Sequence, residues 1–277
     1  FYNCKGHSTN KSFEPAEQTA VDNSPQTEVT PEPAAPSEES GTNQVSSSDA
    51  APKPMMCSPI PEEKQMKREG YSVSYNVTTR EPNYVSWVLT PDRLLGHAKR
   101  SPKFYEDPEL EDDEKSTLDD YRSSGYDRGH MCPAGDNKWS LTAMIETFYL
   151  SNICPQKHAL NDGDWKELEE ACRDWVSTSG ESIYIVSGPI YDTNNSKMLK
   201  RHVRVPDRFF KVLLCLNKND EKGIAFVYHN NSEQHPMDYY VCSIDDVEKI
   251  TGYDFFPTLS KNLQDKLEKQ TNLTDWK

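Results

Sequence analysis

The sequence predicts an α+β fold built on a mostly antiparallel central sheet flanked by helices, and three observations predict it. Five runs, at 71–78, 83–90, 182–187, 209–216 and 223–229, alternate polar with apolar residues or stay apolar over strand-like lengths. One long amphipathic segment follows in "NDGDWKELEEACRDWVSTS", where Leu160, Trp165, Leu168, Cys172, Trp175 and Val176 recur at helical spacing. Strands and helices mix without the regular βαβ alternation that builds a parallel sheet.

Taken in order, residues 1–65 come first, with 9 of the 19 prolines and three aromatics, Phe1, Tyr2 and Phe13. Such a segment buries too little apolar surface to offset the entropy of ordering it, so a disordered Pro/Ser/Thr/Glu-rich linker is expected there. Residues 66–277 then form one domain of about 210 residues, long enough for a sizeable core. The strands at 71–78 and 83–90 open it. The amphipathic helix begins near Asn161 and stops at Gly180, and the three remaining strands follow. "SIDDVEKITG" predicts a second helix, opened by a capping box of Ser243 and Asp246 and closed by Gly252.

The formal charge of −14 divides unevenly, because residues 1–65 carry 4 Lys/Arg and 10 Asp/Glu, leaving −8 on the domain. Neither part is a basic arm of the kind that binds nucleic acid by phosphate neutralisation, although a local basic cleft or a bound divalent cation can reverse the potential where it matters. The run "YEDPELEDDEKSTLDD" at 105–120 reads as a solvated acidic loop. No apolar run reaches the ~18–20 residues that span a membrane. In "FYNCKGHSTN" a cysteine follows an apolar stump and precedes the polar linker, which reads either as a lipoprotein acceptor with Cys4 as a lipidated membrane tether or as a free cysteine in a tail. The expected location is therefore exported: periplasmic, envelope-anchored or extracellular. Seven cysteines include no C-x-x-C pair, which argues against structural zinc.

The chemistry concentrates in "YDRGHMCPAGDN", 126–137, and "FYLSNICPQKHALNDGDWKELEE", 148–170. Asn161 and Glu169 lie eight residues apart, two helical turns plus about 80°, so both can lean toward one flank. A hairpin carrying His130 and packed on that helix would set an imidazole opposite an amide oxygen. This combination suits phosphodiester hydrolysis. Neutral histidine can deprotonate water, and an amide oxygen suits Mg²⁺, which keeps most of its waters. The forked donors of Arg128 suit the charge that develops on phosphorus. Simpler roles exist for each: Asn161 as a helix N-cap, Glu169 as a solvated helix residue, Arg128 as the partner of Asp127. Asp127 is expected to orient the turn or Arg128. Trp139, Trp165 and Trp175 are expected in the core, and Cys154 with His158 supplies too few ligands for a metal site.

"DRGH" followed by "MCPAGDN", "YLSNICPQ" and "LNDGDWKELE" resembles the DNA/RNA non-specific endonuclease family of ββα-metal nucleases. "NYVSWVLT", "VSGPIY" and "TGYDFFPTL" extend the resemblance over roughly residues 68–260. The resemblance implies a ββα-metal nuclease fold that cleaves DNA and RNA and leaves 5′-phosphate and 3′-hydroxyl ends, with Mg²⁺ as cofactor and Mn²⁺ as an alternative. His130 would be the general base and Asn161 the direct metal ligand, with Glu169 holding metal-bound waters. Arg128 would contact the scissile phosphate, Asn152 falls on an active-site asparagine, and Arg173 falls on a phosphate-facing arginine. Cys132 departs from the family's usual small residue and is expected to pack. Arg93, Arg100 and Arg122 compete for the place of an upstream family arginine. The rival reading is a catalytically silent envelope-anchored binding or structural protein on the same fold, and a small-nucleotide phosphodiesterase would share the chemistry. The sequence names no inhibitor and no oligomeric state.

Overall fold

A computed structural model describes residues 54–277, apart from 195, 196, 201, 218 and 219. Residues 1–53 of the expected linker, and with them Cys4, lie outside the described residues. Packed structure starts earlier than position 66. Cys57 is buried and bridges Phe255, and β1 (Lys64–Lys67) pairs with β2 (Ser72–Asn76). Cys57 and Met66 supply the apolar anchors that hold this stretch against the domain.

After β2 the chain turns into β3 (Glu81–Leu89) and then leaves the sheet for an excursion. That excursion carries α1 (Leu118–Tyr121), β4 (Asp127–His130), α2 (Leu141–Glu146), β5 (Ile153–Gln156) and α3 (Trp165–Ser179). β6 (Ile183–Ile190) returns beside β3, and a small hairpin follows, β7 (Met198–Leu199) with β8 (Val203–Arg204). The chain closes through β9 (Arg208–Asn217), β10 (Asp220–His229), β11 (Val241–Cys242), α4 (Ile244–Thr251) and α5 (Lys261–Leu267). The main sheet runs β1-β2-β3-β6-β9-β10-β11, and each pairing in it is antiparallel. This is the predicted α+β class, with strands near the predicted positions.

Strand alternation sorts the core into two. Along β9, Phe209, Leu213 and Cys215 join Trp165, Leu168 and Cys172 of α3 on one face, while Phe210, Val212 and Leu214 join Ile244, Val247 and Leu267 on the other. Each fully buried side chain of this size contributes about 1.5–3 kcal/mol. The first face carries the β4–β5 excursion and α3; the second carries α4 and α5. The capping box of Ser243 and Asp246 and the left-handed Gly252 bound α4 as expected.

One boundary differs from the sequence reading. The α-helix starts at Trp165, and residues Leu160–Asp164 form a π-helical turn broken at Gly163, with φ −114 and ψ −115. Asn161 is therefore not the N-cap of α3: its N–H donates to the Lys157 carbonyl at 2.9 Å and its side chain is engaged elsewhere.

Candidate functional site

β4 and β5 pair in antiparallel register, with Gly129 opposite Cys154 and His130 opposite Ile153. The glycine between Arg128 and His130 has a steric reason. A Cβ there would lie 2.2 Å from Gln156 Oε1 and 2.7 Å from Gln156 Cβ, so only hydrogen lets the two strands close. Arg128 and His130, two apart on an extended strand, project to one side and line the same cleft. The indole N–H of Trp165 donates to the His130 carbonyl at 3.1 Å, which fixes the end of β4 to the start of α3.

His130 sits between two phenylalanines, with ring centroids 5.4 Å from Phe104 and 4.9 Å from Phe148. Each phenylalanine carries an arginine: Arg128 lies 4.5 Å over Phe104 and Arg100 lies 4.9 Å over Phe148. The imidazole is 8% exposed, and its buried Nε2 has no protein hydrogen-bond partner. Burial first, and the Arg100 charge second, push its pKa down to about 3. His130 is thus held neutral, with an unprotonated ring nitrogen, across the whole physiological range.

Across the cleft, the side-chain amide N–H of Asn161 donates to Asp127 Oδ2 at 3.0 Å, and His158 Nδ1 meets the same oxygen at 2.8 Å. A carboxylate only accepts, so the contact turns the nitrogen of the amide toward Asp127 and leaves its oxygen for a different partner. Asp127 orients Asn161 and His158, where the sequence reading gave it the turn or Arg128. Glu169, on the second turn of α3, lies 4.0 Å from the ammonium of Lys211 through Oε1. Burial raises its carboxyl to about 7, against the opposing pull of Lys211. Lys211 is 1% exposed and lies 4.3 Å from the Trp165 ring. One turn beyond Glu169, Arg173 donates to Asp136 Oδ1 at 2.9 Å, and the Trp87 indole donates to Asp136 Oδ2 at 3.0 Å. Gly135 accommodates the arginine, since a Cβ there would lie 2.7 Å from Arg173 Nη1.

Arg128, His130, Asn161, Glu169 and Arg173 all line one cleft of about 1270 Å³. Its lining holds six Lys/Arg, namely Arg100, Arg122, Arg128, Lys138, Lys166 and Arg173, against the four carboxylates of Asp127, Asp162, Glu169 and Glu170. In a chain with 31 Lys/Arg and 45 Asp/Glu this is a local reversal of sign, of the kind that concentrates polyanions. Among the three competing arginines, Arg93 donates to the Gly70 carbonyl and stacks on Trp139 away from the cleft. Arg122 lines the cleft but pairs with Asp119 at 3.1 Å, and Arg100 alone of the three flanks the histidine.

Asn152 is placed differently from the sequence expectation. It is fully buried and outside the cleft lining, and each polar atom of its side chain is spent on backbone: Oδ1 accepts from Cys132 N–H, and Nδ2 donates to the Cys132 and Thr147 carbonyls, all at 2.9 Å. It is a clamp on the segment after His130. Cys132 packs with no exposed surface, and the six described cysteines are free thiols. Trp165 is buried as expected, Trp175 packs half-buried against the same core, and Trp139 is half-buried. Asp136 and Lys211 are the supporting residues that sequence reasoning missed, and for Asp127 it named an orienting role but not these partners. For Lys211 a signal existed, a lysine inside the apolar run "FFKVLLCL".

Residues 55–262 match the model of the DNA/RNA non-specific endonuclease family. The chain is 37% identical over 208 residues to a mitochondrial nuclease EXOG of Xenopus laevis, a match that covers 69% of this chain and 58% of that protein. It is 33% identical over 215 residues to mitochondrial endonuclease G of Homo sapiens, covering 72% of each. A crystal structure of the EndoG/EndoGI complex superposes with a TM-score of 0.65 at 27% identity, over 72% of this chain and 88% of that one.

Proposed function

The chain belongs to the DNA/RNA non-specific endonuclease family, and from that premise we propose that it is a divalent-cation-dependent nuclease that hydrolyses internal phosphodiester bonds of DNA and RNA. The ββα-metal fold of the EndoG structure is the scaffold of this reading. One observation carries it. A neutral buried histidine, an amide oxygen freed by Asp127, and an acidic group at Glu169 face one cleft whose lining is more cationic than the chain.

The donor set fits a hard cation, because Asn161 and Glu169 offer oxygen only. Asn161 Oδ1 would hold Mg²⁺ directly, and Glu169 would hold it through water. When bound, the cation supplies positive charge for the phosphate and for the departing 3′-oxygen. The remaining steps belong to the chain. Arg128, Arg173 and Arg100 draw the phosphate in and orient it. His130 takes the proton of the attacking water at an imidazole nitrogen. Phe104 and Phe148 keep bulk water from the ring, so no other proton competes for it. The products of this reading end in 5′-phosphate and 3′-hydroxyl. Lys211 positions Glu169 and favours its ionised form, and Asp136 does the same service for Arg173.

The test is cleavage of supercoiled plasmid and of a long RNA by purified protein, with Mg²⁺ and with EDTA. Metal-dependent cutting of both is expected. Tight binding of either without cutting in Mg²⁺ would instead establish a silent binding protein.

A further inference from the structure

On the face of the sheet away from the cleft, the end of α5 meets the start of α4, and three carboxylates converge there. Asp245 stands in the first turn of α4, Glu248 one turn further, and Glu268 caps α5. One oxygen from each lies within 4.8 Å of the other two. Surface acids often cluster without consequence, but Glu268 is not a surface residue: it is 6% exposed, and its buried Oε1 has no hydrogen-bond partner.

The backbone holds the three in place. The Asp245 N–H donates to the Glu268 carbonyl at 3.0 Å, and Glu248 Oε1 accepts from the Phe255 N–H at 2.8 Å. Leu267, Ile244 and Val247 are buried beside them in the second core, so neither helix can swing away without exposing apolar surface. Asp254 adds a further negative charge, which acts on both Glu248 and Glu268. The lysine that acts on Glu268, Lys261, is itself paired with Asp265 at 2.9 Å. Burial and these neighbouring carboxylates together push the Glu268 carboxyl up to about 7.

A buried, unpaired carboxylate oxygen among like charges is costly unless a cation stands between them or a proton neutralises one of them. Oxygen-only donors are the ligand set of hard divalent ions, and Ca–O bonds of about 2.3–2.6 Å let two oxygens on one ion stand up to about 5 Å apart. We propose that Asp245, Glu248 and Glu268 form a second divalent-cation site, of calcium type, that ties the end of α5 to the first turn of α4. It is separate from the cleft and takes no part in cleavage.

The test uses the full chain carrying Asn161→Ala, which removes the amide ligand of the cleft, stripped of metal and titrated with CaCl₂ alone. Calorimetry should show one Ca²⁺ per chain, and at a hundredfold excess over Kd the melting temperature should rise by about 5–10 °C. Adding Glu268→Gln should weaken Ca²⁺ binding at least tenfold, while its metal-free melting temperature stays level or rises because one like charge is gone. Asp245→Asn, at a half-buried position, carries the same expectation should the glutamine variant fold poorly. A folded parent that binds no Ca²⁺ would overturn the proposal, as would Ca²⁺ stabilisation that survives both substitutions. Stability that rises as pH falls through about 7, with no response to Ca²⁺, would show a proton shared among the carboxyls and would overturn it too.

Discussion

The two faces of β9 are made by alternate residues of one strand, yet they meet opposite demands. Phe210, Val212 and Leu214 face α4 and α5 and are fully buried among apolar neighbours. Phe209, Lys211 and Leu213 face α3, and the lysine between the two apolar residues is as buried as they are. On the face toward α3, burial shifts the groups that line the cleft, His130 down to about 3 and Glu169 up to about 7. Chemistry is placed where the core is least comfortable, and the apolar face supplies the stability that tolerates it.

Lys211→Met should disturb this contrast most. It leaves Glu169 buried without its cation, and about 3–5 kcal/mol should be lost in urea unfolding. A loss below about 1 kcal/mol would mean the lysine is incidental. Phe210→Ala is the matched change on the other face. It should also cost about 3–5 kcal/mol, yet leave kcat/KM for plasmid cleavage unchanged wherever the variant is folded. Cleavage falling in step with stability would show that the faces do not act separately.

Ionisation sharpens the comparison. The folded His130 titrates near 3 and the unfolded one near 6.5, so between those values the unfolded chain binds more protons. The stability tied to neutral His130 is whole above pH 6.5 and is lost as pH falls toward 3. His130→Phe should flatten that slope by up to about 1.4 kcal/mol per pH unit in denaturation curves. Glu169 has the opposite sign: its carboxyl stays protonated up to about 7, so Mg²⁺ must displace a proton below that pH. Calorimetric Mg²⁺ affinity should climb up to about tenfold per pH unit toward 7 and level off above it; an affinity flat from pH 6 to 8 would remove Glu169 from the metal's reach. The smallest effect is expected from Asp127→Asn, which keeps the shape but weakens the charged hydrogen bond to Asn161, for about a fivefold to tenfold loss of Mg²⁺ activation.

Long amphipathic patterns carried most of what was legible in the sequence. β3, β6, β9 and β10 of the main sheet and the body of α3 show their periods over eight or more residues, and Ser243 with Asp246 announces α4 through side-chain chemistry alone. β1, as "KQMK", and β4, as "DRGH", are too short and polar to show a period; β1 exists because it zips onto the adjacent β2, and β4 because β5, more than twenty residues on, completes it. At the site, Arg128, His130, Asn161, Glu169 and Arg173 were legible as neighbours because they fall in short local blocks that resemble one family's, and the fold brings all five to one cleft. Asn152 shows the limit of that reasoning: its position in the motif is equally suggestive, and only the fold reveals that its amide is consumed by Cys132 and Thr147. Asp136 and Lys211 act across 37 and 42 residues of chain on Arg173 and Glu169, a distance at which no sequence spacing speaks.

The most direct test of the account is His130→Ala in the plasmid assay, with Mg²⁺ titration and circular dichroism on the same preparation. Loss of the general base should lower the cleavage rate by about 10²–10⁴-fold while the fold and the Mg²⁺ affinity persist. Cleavage at the wild-type rate by a folded, metal-binding variant would contradict the account, because the cleft would then be cutting without the residue around which it is built.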